Sequence, residues 1–462
     1  MKVRKPSKYS ADVIVIGSGP VGSVAAQILA EKNKNVIIIE QEKIGGDCAH
    51  HSCIPSRVFL DAATTADHIT HIPRHGISVG AVTVDFQATK HWAQRAINAS
   101  GVAHDERFLY ADPHIQLVKG RAQFVDPYTV SANGNAFTAR SFIIATGSSP
   151  TVPDIQGLAT VPYLTYRSIM GLNELPASVA IIGNGSTAYE YAQIFRMFGV
   201  RTHLVSSDLH LLSSQDSELS DIAESSLAQR GVLVHTGAAV QSIQQTNHGN
   251  SVVSYNHATQ SHHISVHAVF VAAGNNANVD ISLSNAHVTH DDTGIKVSHR
   301  MKTSQKHIYA VGGVTTLGDT AGAAIRQGQI AAHNILHRKN ISYDARAVPI
   351  IAYGEPELVS IGKTEREVKL TGLPYQTAIA PLGIIGKNMT NPYANGFVKI
   401  IATHTGHIIG ASMASPYASE CVNELSFAIQ YRHRACDIAN TIHPFLSWSE
   451  AIRVAASKIH CA

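Results

Sequence analysis

Two cysteines five positions apart, Cys48 and Cys53, stand in the stretch Gly45-Gly46-Asp47-Cys48-Ala49-His50-His51-Ser52-Cys53-Ile54-Pro55-Ser56-Arg57. Thiols at this range can take and return two electrons as a disulfide. On a regular helix, residues five apart differ by about 7.5 Å in rise alone, beyond the roughly 7 Å reach of disulfide-bonded Cα atoms. Pairing therefore requires an irregular backbone, which glycines before the first cysteine and a proline after the second favour. Two other readings fit the same residues. Cys48, His50, His51 and Cys53 are possible metal ligands, although zinc sites prefer two- to four-residue spacers and a second ligand pair is not evident. The thiols can also be unpaired and simply buried. Cys421, Cys436 and Cys461 complete an odd, sparse set that suits a reducing compartment with at most one functional pair.

A cysteine pair that cycles needs an electron carrier beside it, and the chain offers two nucleotide loops. An apolar strand, Asp12 to Ile16, runs into Gly17-Ser18-Gly19-Pro20-Val21-Gly22 and a helical pattern. A second apolar strand, Asn35 to Ile39, ends in Glu40. Gly17 permits a tight turn, Gly19 lets the backbone approach a pyrophosphate, and Gly22 lets the helix lie close to the strand. The helix N-terminus then faces phosphate, and Glu40 can accept hydrogen bonds from an adenosine ribose. The pattern recurs at Ser178 to Ile182, Gly183-Asn184-Gly185 and a helix through Phe195, with Ala188 in place of the third glycine. After the next strand, Arg201 to Val205, the residues Ser206 and Ser207 replace the acid that would favour NAD and the arginine that would favour NADP, so the cofactor is NAD or NADP.

These loops set the expected fold. The class is α/β, with two Rossmann-like dinucleotide-binding domains, one inserted in the other, and a C-terminal α+β domain. The strand Ser141 to Ile144 ends in the small turn Ala145-Thr146-Gly147, where the chain leaves the first domain; Val269 to Ala272 and Ala273-Gly274 close the second. His307 to Gly313 is a buried-type strand that returns to the first domain, followed by a helix from Ala321 to His337. The expected boundaries are 1–150 and 274–345 for the first domain, 151–273 for the second, and 346–462 for the third. That third part alternates in the manner of strands, as at Phe397 to Ile401, and adds two helical segments.

The whole chain has 462 residues, 36 basic and 33 acidic, for a formal net charge of +3, without a basic run able to track phosphates, which argues against nucleic acid. The basic residues near the start run straight into the first strand, unlike a signal peptide, and the apolar stretches fall short of a membrane span. A cytoplasmic protein is expected. The 27 histidines are scattered and carry no pattern.

The chain resembles, nearly end to end, the pyridine nucleotide-disulfide oxidoreductases, which include dihydrolipoamide dehydrogenase, glutathione reductase and mercuric reductase. Their signature GGTCxNxGCIPSK is similar to GGDCAHHSCIPSR here. The resemblance implies FAD beside the cysteines, Cys48 exchanging with a dithiol or disulfide substrate, small or protein-bound, and Cys53 lying against the flavin. It also implies that Arg57 replaces a flavin-side lysine, that Glu190 on the second nucleotide helix is its partner, and that Ala145-Thr146-Gly147 is the domain-crossing turn. Gly313 stands where the family has an aspartate that holds the ribityl chain. The C-terminal part resembles a dimerisation domain that sends an acid–base histidine into the partner subunit. Here that residue would be His443, oriented by Glu450, and the longer spacing between them is closer to mercuric reductase. Cys461 lies where mercuric reductases carry a terminal pair. The implied function is electron exchange between NAD(P)H and a dithiol or disulfide, most like dihydrolipoamide dehydrogenase. The alternatives are a mercuric reductase-like or other NAD(P)H-dependent reductase, or a flavin-binding protein without disulfide turnover.

Overall fold

The computed structural model describes residues 6–71, 75–102, 107, 109, 111–318, 320–391 and 395–462, so the first basic residues, Lys2, Arg4 and Lys5, lie outside it. Runs of valine and isoleucine in the first part can be buried on both faces only inside a parallel sheet covered on each side. Ala11–Ile16, Val36–Glu40 and Ile115–Lys119 are such strands, in parallel register with Val13 opposite Val36 and Val36 opposite Ile115. On the other side, Ala11–Ile16 pairs with the second half of the long strand Asn135–Ile144, whose first half turns antiparallel to Thr129–Ala132. Ile14, Val15 and Ile38 are completely buried, and each such side chain contributes about 1.5–3 kcal/mol of burial.

The strand Ile308–Ala310 comes back to this sheet and pairs in parallel with Asn135–Ile144, Phe142 opposite Ile308. Between departure and return lies a second parallel sheet, ordered Leu233–His235, Arg201–Val205, Ser178–Gly183, Ala268–Ala272 and Tyr163–Leu164, with an antiparallel three-stranded layer beside it. The two crossings, Ser148–Pro150 and Asn275–Ala277, pair with each other antiparallel. Both ends of the inserted unit are thereby clamped at one place.

The third unit is a five-stranded antiparallel sheet, ordered Pro349–Ala352, Glu357–Gly362, Ile408–Ser415, Phe397–Thr403 and Tyr375–Pro381. Two helical segments were expected here. Among the described residues there are instead six α-helices of four to eight residues, from Glu365–Thr371 to Glu450–Ser457. Helices of one or two turns do not repeat the 3.6-residue period often enough to be read from it. Nor does Phe397–Thr403 alternate between core and solvent: its first six residues are all buried. Lys399 is hidden there because Glu218 and Glu365 take its ammonium at 2.8 and 2.7 Å, as a buried charge requires. Glu218 belongs to the second unit, so this contact also ties two units together. No helix among the described residues is long and apolar enough to cross a membrane.

One core joins what the site needs. Phe59, on the helix Cys53–His71, shares it with Tyr189, Tyr191 and Phe195 of the helix Ser186–Met197, and with Phe397 of the third unit. The cysteine helix and the second nucleotide helix are thus fixed against each other.

Candidate active site

Gly45 and Gly46 both adopt positive φ, and a short helix, Gly46–His50, begins at once. His51 breaks it with φ −131°, and the long helix restarts at Cys53. The break draws the Cα atoms of Cys48 and Cys53 to 4.8 Å, and the two sulfurs form a disulfide. This is the irregular backbone that the spacing demanded. It also separates the readings left open by the residues: the sulfurs bond to each other, and His50 Nε2 is engaged by the Ile44 carbonyl at 2.8 Å. Burial and nearby Arg167 hold the His51 imidazole below its ordinary range. Arg167, which carries no local sequence signal, clamps the approach to Cys48 through Asp47 at 2.8 Å and Glu42 at 2.7 Å.

Cys48 and Cys53 line a cavity of about 700 Å³. Its walls include Gly17, Gly19, Glu40, Gly46, Ala145, Thr146, Gly147, Glu190 and Gly313. Gly22 lies behind the loop, where a Cβ would strike the Gly17 carbonyl. The helix Pro20–Ala30 starts with Gly19 as its cap, which supplies no side chain to the first N–H groups and leaves them for a phosphate. A Cβ built on Gly19 or Gly147 would meet nothing within 4 Å, so both glycines border open space in the cleft. Glu40 is held in place by the Ser18 amide and hydroxyl, which donate to Oε2 at 2.7 and 2.8 Å. At the cysteine end, the Tyr191 hydroxyl is buried without a partner, and burial pushes this phenol up strongly. These features fit a dinucleotide with a planar ring system at the disulfide: a bare phosphate cradle, a ribose acceptor, and an orphaned polar atom at the far end.

Arg57 lies one turn beyond Cys53 on the same helix face. Its Nη2 donates to Glu190 Oε2 at 2.6 Å, its guanidinium stacks 3.7 Å from the Tyr353 ring centre, and its Nη1 is buried without a partner. Tyr353 N–H donates to the other Glu190 oxygen at 3.1 Å. Burial raises the Glu190 carboxyl above its ordinary range, opposed by Arg57 and by the Tyr353 amide. Arg57 itself does not line the cavity and reaches it through Glu190. Asn278, also without a local motif, stitches the crossings together: its amide donates to the Thr146 carbonyl at 2.9 Å, and Thr146 Oγ1 donates to the Asn278 carbonyl at 2.8 Å.

Gly183 and Gly185 bracket the second loop, with Gly185 capping the helix Ser186–Met197 and Gly274 at the return crossing. The carboxylate absent from the end of Arg201–Val205 is supplied three residues later. Asp208 Oδ2 accepts from Asn184 Nδ2, inside the glycine loop, at 2.7 Å and from Ser213 Oγ at 2.6 Å. Its offset from the usual strand-end position hid it from motif reading.

His443 does not line the cavity. Its Nδ1 faces the Thr441 carbonyl at 3.0 Å, an acceptor only, so Nδ1 carries a hydrogen. Its Nε2 lies 3.0 Å from Glu424 Oε2. The expected orienting residue was Glu450; in this structure the carboxylate at the ring is that of Glu424. A left-handed turn at Leu446 (φ 61°) and the buried Trp448 carry the chain into the helix Glu450–Ser457, where Glu450 pairs with Arg453 at 3.6 Å. The flanking residues Ile442 and Phe445 are 96% and 79% exposed, an apolar surface around a histidine whose own side chain is covered.

Family models place this arrangement. The one described as pyridine nucleotide-disulphide oxidoreductase matches residues 11–328, and its dimerisation-domain counterpart matches residues 348–456. A mercuric reductase of Staphylococcus aureus is 29% identical across 97% of this chain and 84% of its own length. A dihydrolipoyl dehydrogenase of Chlamydia pneumoniae is 30% identical across 96% and 97%. Among solved structures, the HOCl-induced flavoprotein disulfide reductase RclA from Escherichia coli has the same fold, with a TM-score of 0.86 at 23% identity over 97% of this chain and all of that one.

Proposed function

The chain belongs to the pyridine nucleotide-disulphide oxidoreductases, enzymes that use FAD and NAD(P)H, and from that premise we propose that it moves electrons between NADH and a dithiol or disulfide through Cys48 and Cys53. The observation that carries this reading is the Cys48–Cys53 disulfide lining the same cavity as a complete dinucleotide cradle. Gly17, Gly19 and the start of the following helix would hold the pyrophosphate, and Glu40 the ribose. Gly46, Ala145, Thr146, Gly147 and Gly313 would wall the remainder, with Glu190 at the ring and Arg57 behind it, holding Glu190. The chemistry FAD supplies when bound is two-electron exchange with both the nicotinamide and the disulfide.

The protein's own steps are thiol exchange and proton transfer. With the pair reduced, Cys48 Sγ attacks one sulfur of a substrate disulfide, and the other leaves as a thiolate that takes a proton from a histidine. Cys53 Sγ then attacks Cys48 Sγ, the second substrate thiol departs, and the intrachain disulfide re-forms. His443 of the partner subunit is the proposed proton carrier, because His443 lies outside its own chain's cavity amid exposed Ile442 and Phe445, the surface a homodimer would bury. Asp208 beside Asn184 supports NADH over NADPH, since a carboxylate there accepts from a ribose hydroxyl and repels a 2′-phosphate. The two sheet crossings support boundaries near 150 and 273, the third boundary is set at 345 ahead of the strand Pro349–Ala352, and the sparse cysteines support a cytoplasmic setting.

A metal-ion acceptor is the second reading, carried by the mercuric reductases among the relatives. Both readings are tested by one anaerobic panel: NADH or NADPH oxidation with cyclic and linear disulfides, protein disulfides and Hg(II), using the wild type and Cys48→Ser. Disulfide turnover that disappears in Cys48→Ser supports the first reading. Turnover with Hg(II) alone supports the second, and disulfide turnover that survives in Cys48→Ser removes the proposed role of that cysteine.

A further inference from the structure

Five cysteines with one functional pair was the expectation from composition, yet the fold brings two of the remaining three together. Cys436 begins the C-terminal end of the chain on the short helix Ala435–Ala439, and Cys461 is the penultimate residue. The Cys436 N–H donates to Cys461 Sγ at 3.1 Å across 25 positions of sequence. An N–H to Sγ contact of this length keeps the two Cα atoms within about 7 Å, the reach of a disulfide. Both residues are partly exposed.

The tail is also held in that position. Gln376 brackets His460, donating to its carbonyl at 2.8 Å and accepting from its amide at 2.9 Å. Ile459 is buried, and Arg434 donates to the Ala462 carbonyl at 3.2 Å. Cys461 Sγ packs on Gly406, where an added Cβ would come within 2.8 Å of it. The juxtaposition is therefore built from both sides of the pair.

We propose that Cys436 and Cys461 form a second dithiol, which a hydroperoxide oxidises to an intrachain disulfide that closes a ring around the His443 segment. Cys461 Sγ attacks the peroxide oxygen, giving a sulfenic acid and releasing an alcohol, or water from hydrogen peroxide. Cys436 Sγ then attacks that sulfur, the S–S bond forms and water leaves with the remaining thiol proton. One peroxide is reduced by two electrons and one dithiol is oxidised by two. The Cys436 amide and the nearby Arg434 favour the Cys461 thiolate, while burial and the neighbouring thiol outweigh them and hold it protonated at neutral pH. Oxidation accordingly accelerates as pH rises.

The ring spans residues 436 to 461 and contains the whole connection bearing His443. Oxidation is expected to raise the denaturation midpoint, because the crosslink constrains the unfolded chain.

The test treats FAD-loaded wild type, and a Cys48→Ser/Cys53→Ser variant that leaves only the other three thiols, with hydrogen peroxide. Thiols are then counted and unreduced peptides mapped. The expected result is the loss of two of the three thiols in the variant, with a single crosslinked peptide pair joining Cys436 to Cys461 within one chain, reversed by dithiothreitol. Cys421, whose thiol burial and nearby carboxylates push up to about 11, should remain free. A link from either residue to Cys421, a link between chains, or over-oxidation of Cys461 with Cys436 still free would overturn the proposal. Mapping the wild type keeps the test valid should the variant fail to fold.

Discussion

His443 has two carboxylates competing to be its partner, and only one of them touches it. Glu424 stands 19 positions upstream and meets Nε2 at 3.0 Å, whereas Glu450, closer in sequence, pairs with Arg453. If proton transfer runs through His443, Glu424→Gln should lower kcat/KM for the disulfide about tenfold while Glu424→Asp keeps most of it, because the carboxylate at Nε2 fixes the ring in place. Glu450→Gln should leave kcat/KM near the wild-type value; the opposite pattern would return the positioning role to Glu450. Asp208 makes a second residue-level prediction. Asp208→Ala should lower the NADH-over-NADPH preference about tenfold, the ratio that ~1.4 kcal/mol represents. A wild type that prefers NADPH, with the preference unchanged by substitution, would remove Asp208 from cofactor choice. The cysteine pair and Arg57 were legible in the sequence because one compact motif contains them, and Glu190 through the family resemblance alone. Glu424, Asp208, Tyr191 and Asn278 were not, because tertiary packing alone brings them to the site.

Strand, glycine loop and helix follow one another in the sequence twice, and both units fold as read, because burial on both faces and a bare helix start leave few alternatives for Ala11–Ile16 or Ser178–Gly183. The short C-terminal helices and the buried Lys399 escaped because neither shows a period. Those hidden contacts have a pH signature. Burial holds the His203 imidazole near 4, down from 6.5, so between those values the unfolded chain binds the proton that the folded one refuses, and stability falls as pH drops. Hydrogen bonds from Lys399 and Lys369 hold the Glu365 carboxyl near 2, down from 4.5. Its contribution is present above 4.5 and is lost as pH falls toward 2. Urea midpoints should therefore decline from about pH 6.5 downward, and His203→Gln should flatten the upper part of that decline. A midpoint unchanged between pH 7 and pH 4.5 in the wild type would contradict the assignment for His203.

Domain insertion was legible at the scale of the whole molecule, since the buried-type strand Ile308–Ala310, read as a return to the first domain, pairs in parallel with Asn135–Ile144 of the first sheet. The assembly was legible only by resemblance, because an interface is made of scattered exposed residues such as Ile442 and Phe445. If each site takes its histidine from the other subunit, Cys48→Ser and His443→Ala chains, inactive alone, should together regain about half of wild-type activity per verified heterodimer. Heterodimers without activity would confine His443 to its own chain or to another role. The central claim, that electrons reach substrate through Cys48 and Cys53, is tested most directly by adding one equivalent of NADH to oxidised, FAD-loaded enzyme without oxygen, then alkylating and mapping the thiols. Cys48 and Cys53 should both become labelled while the flavin stays yellow. A bleached flavin with the Cys48–Cys53 disulfide intact would contradict the account.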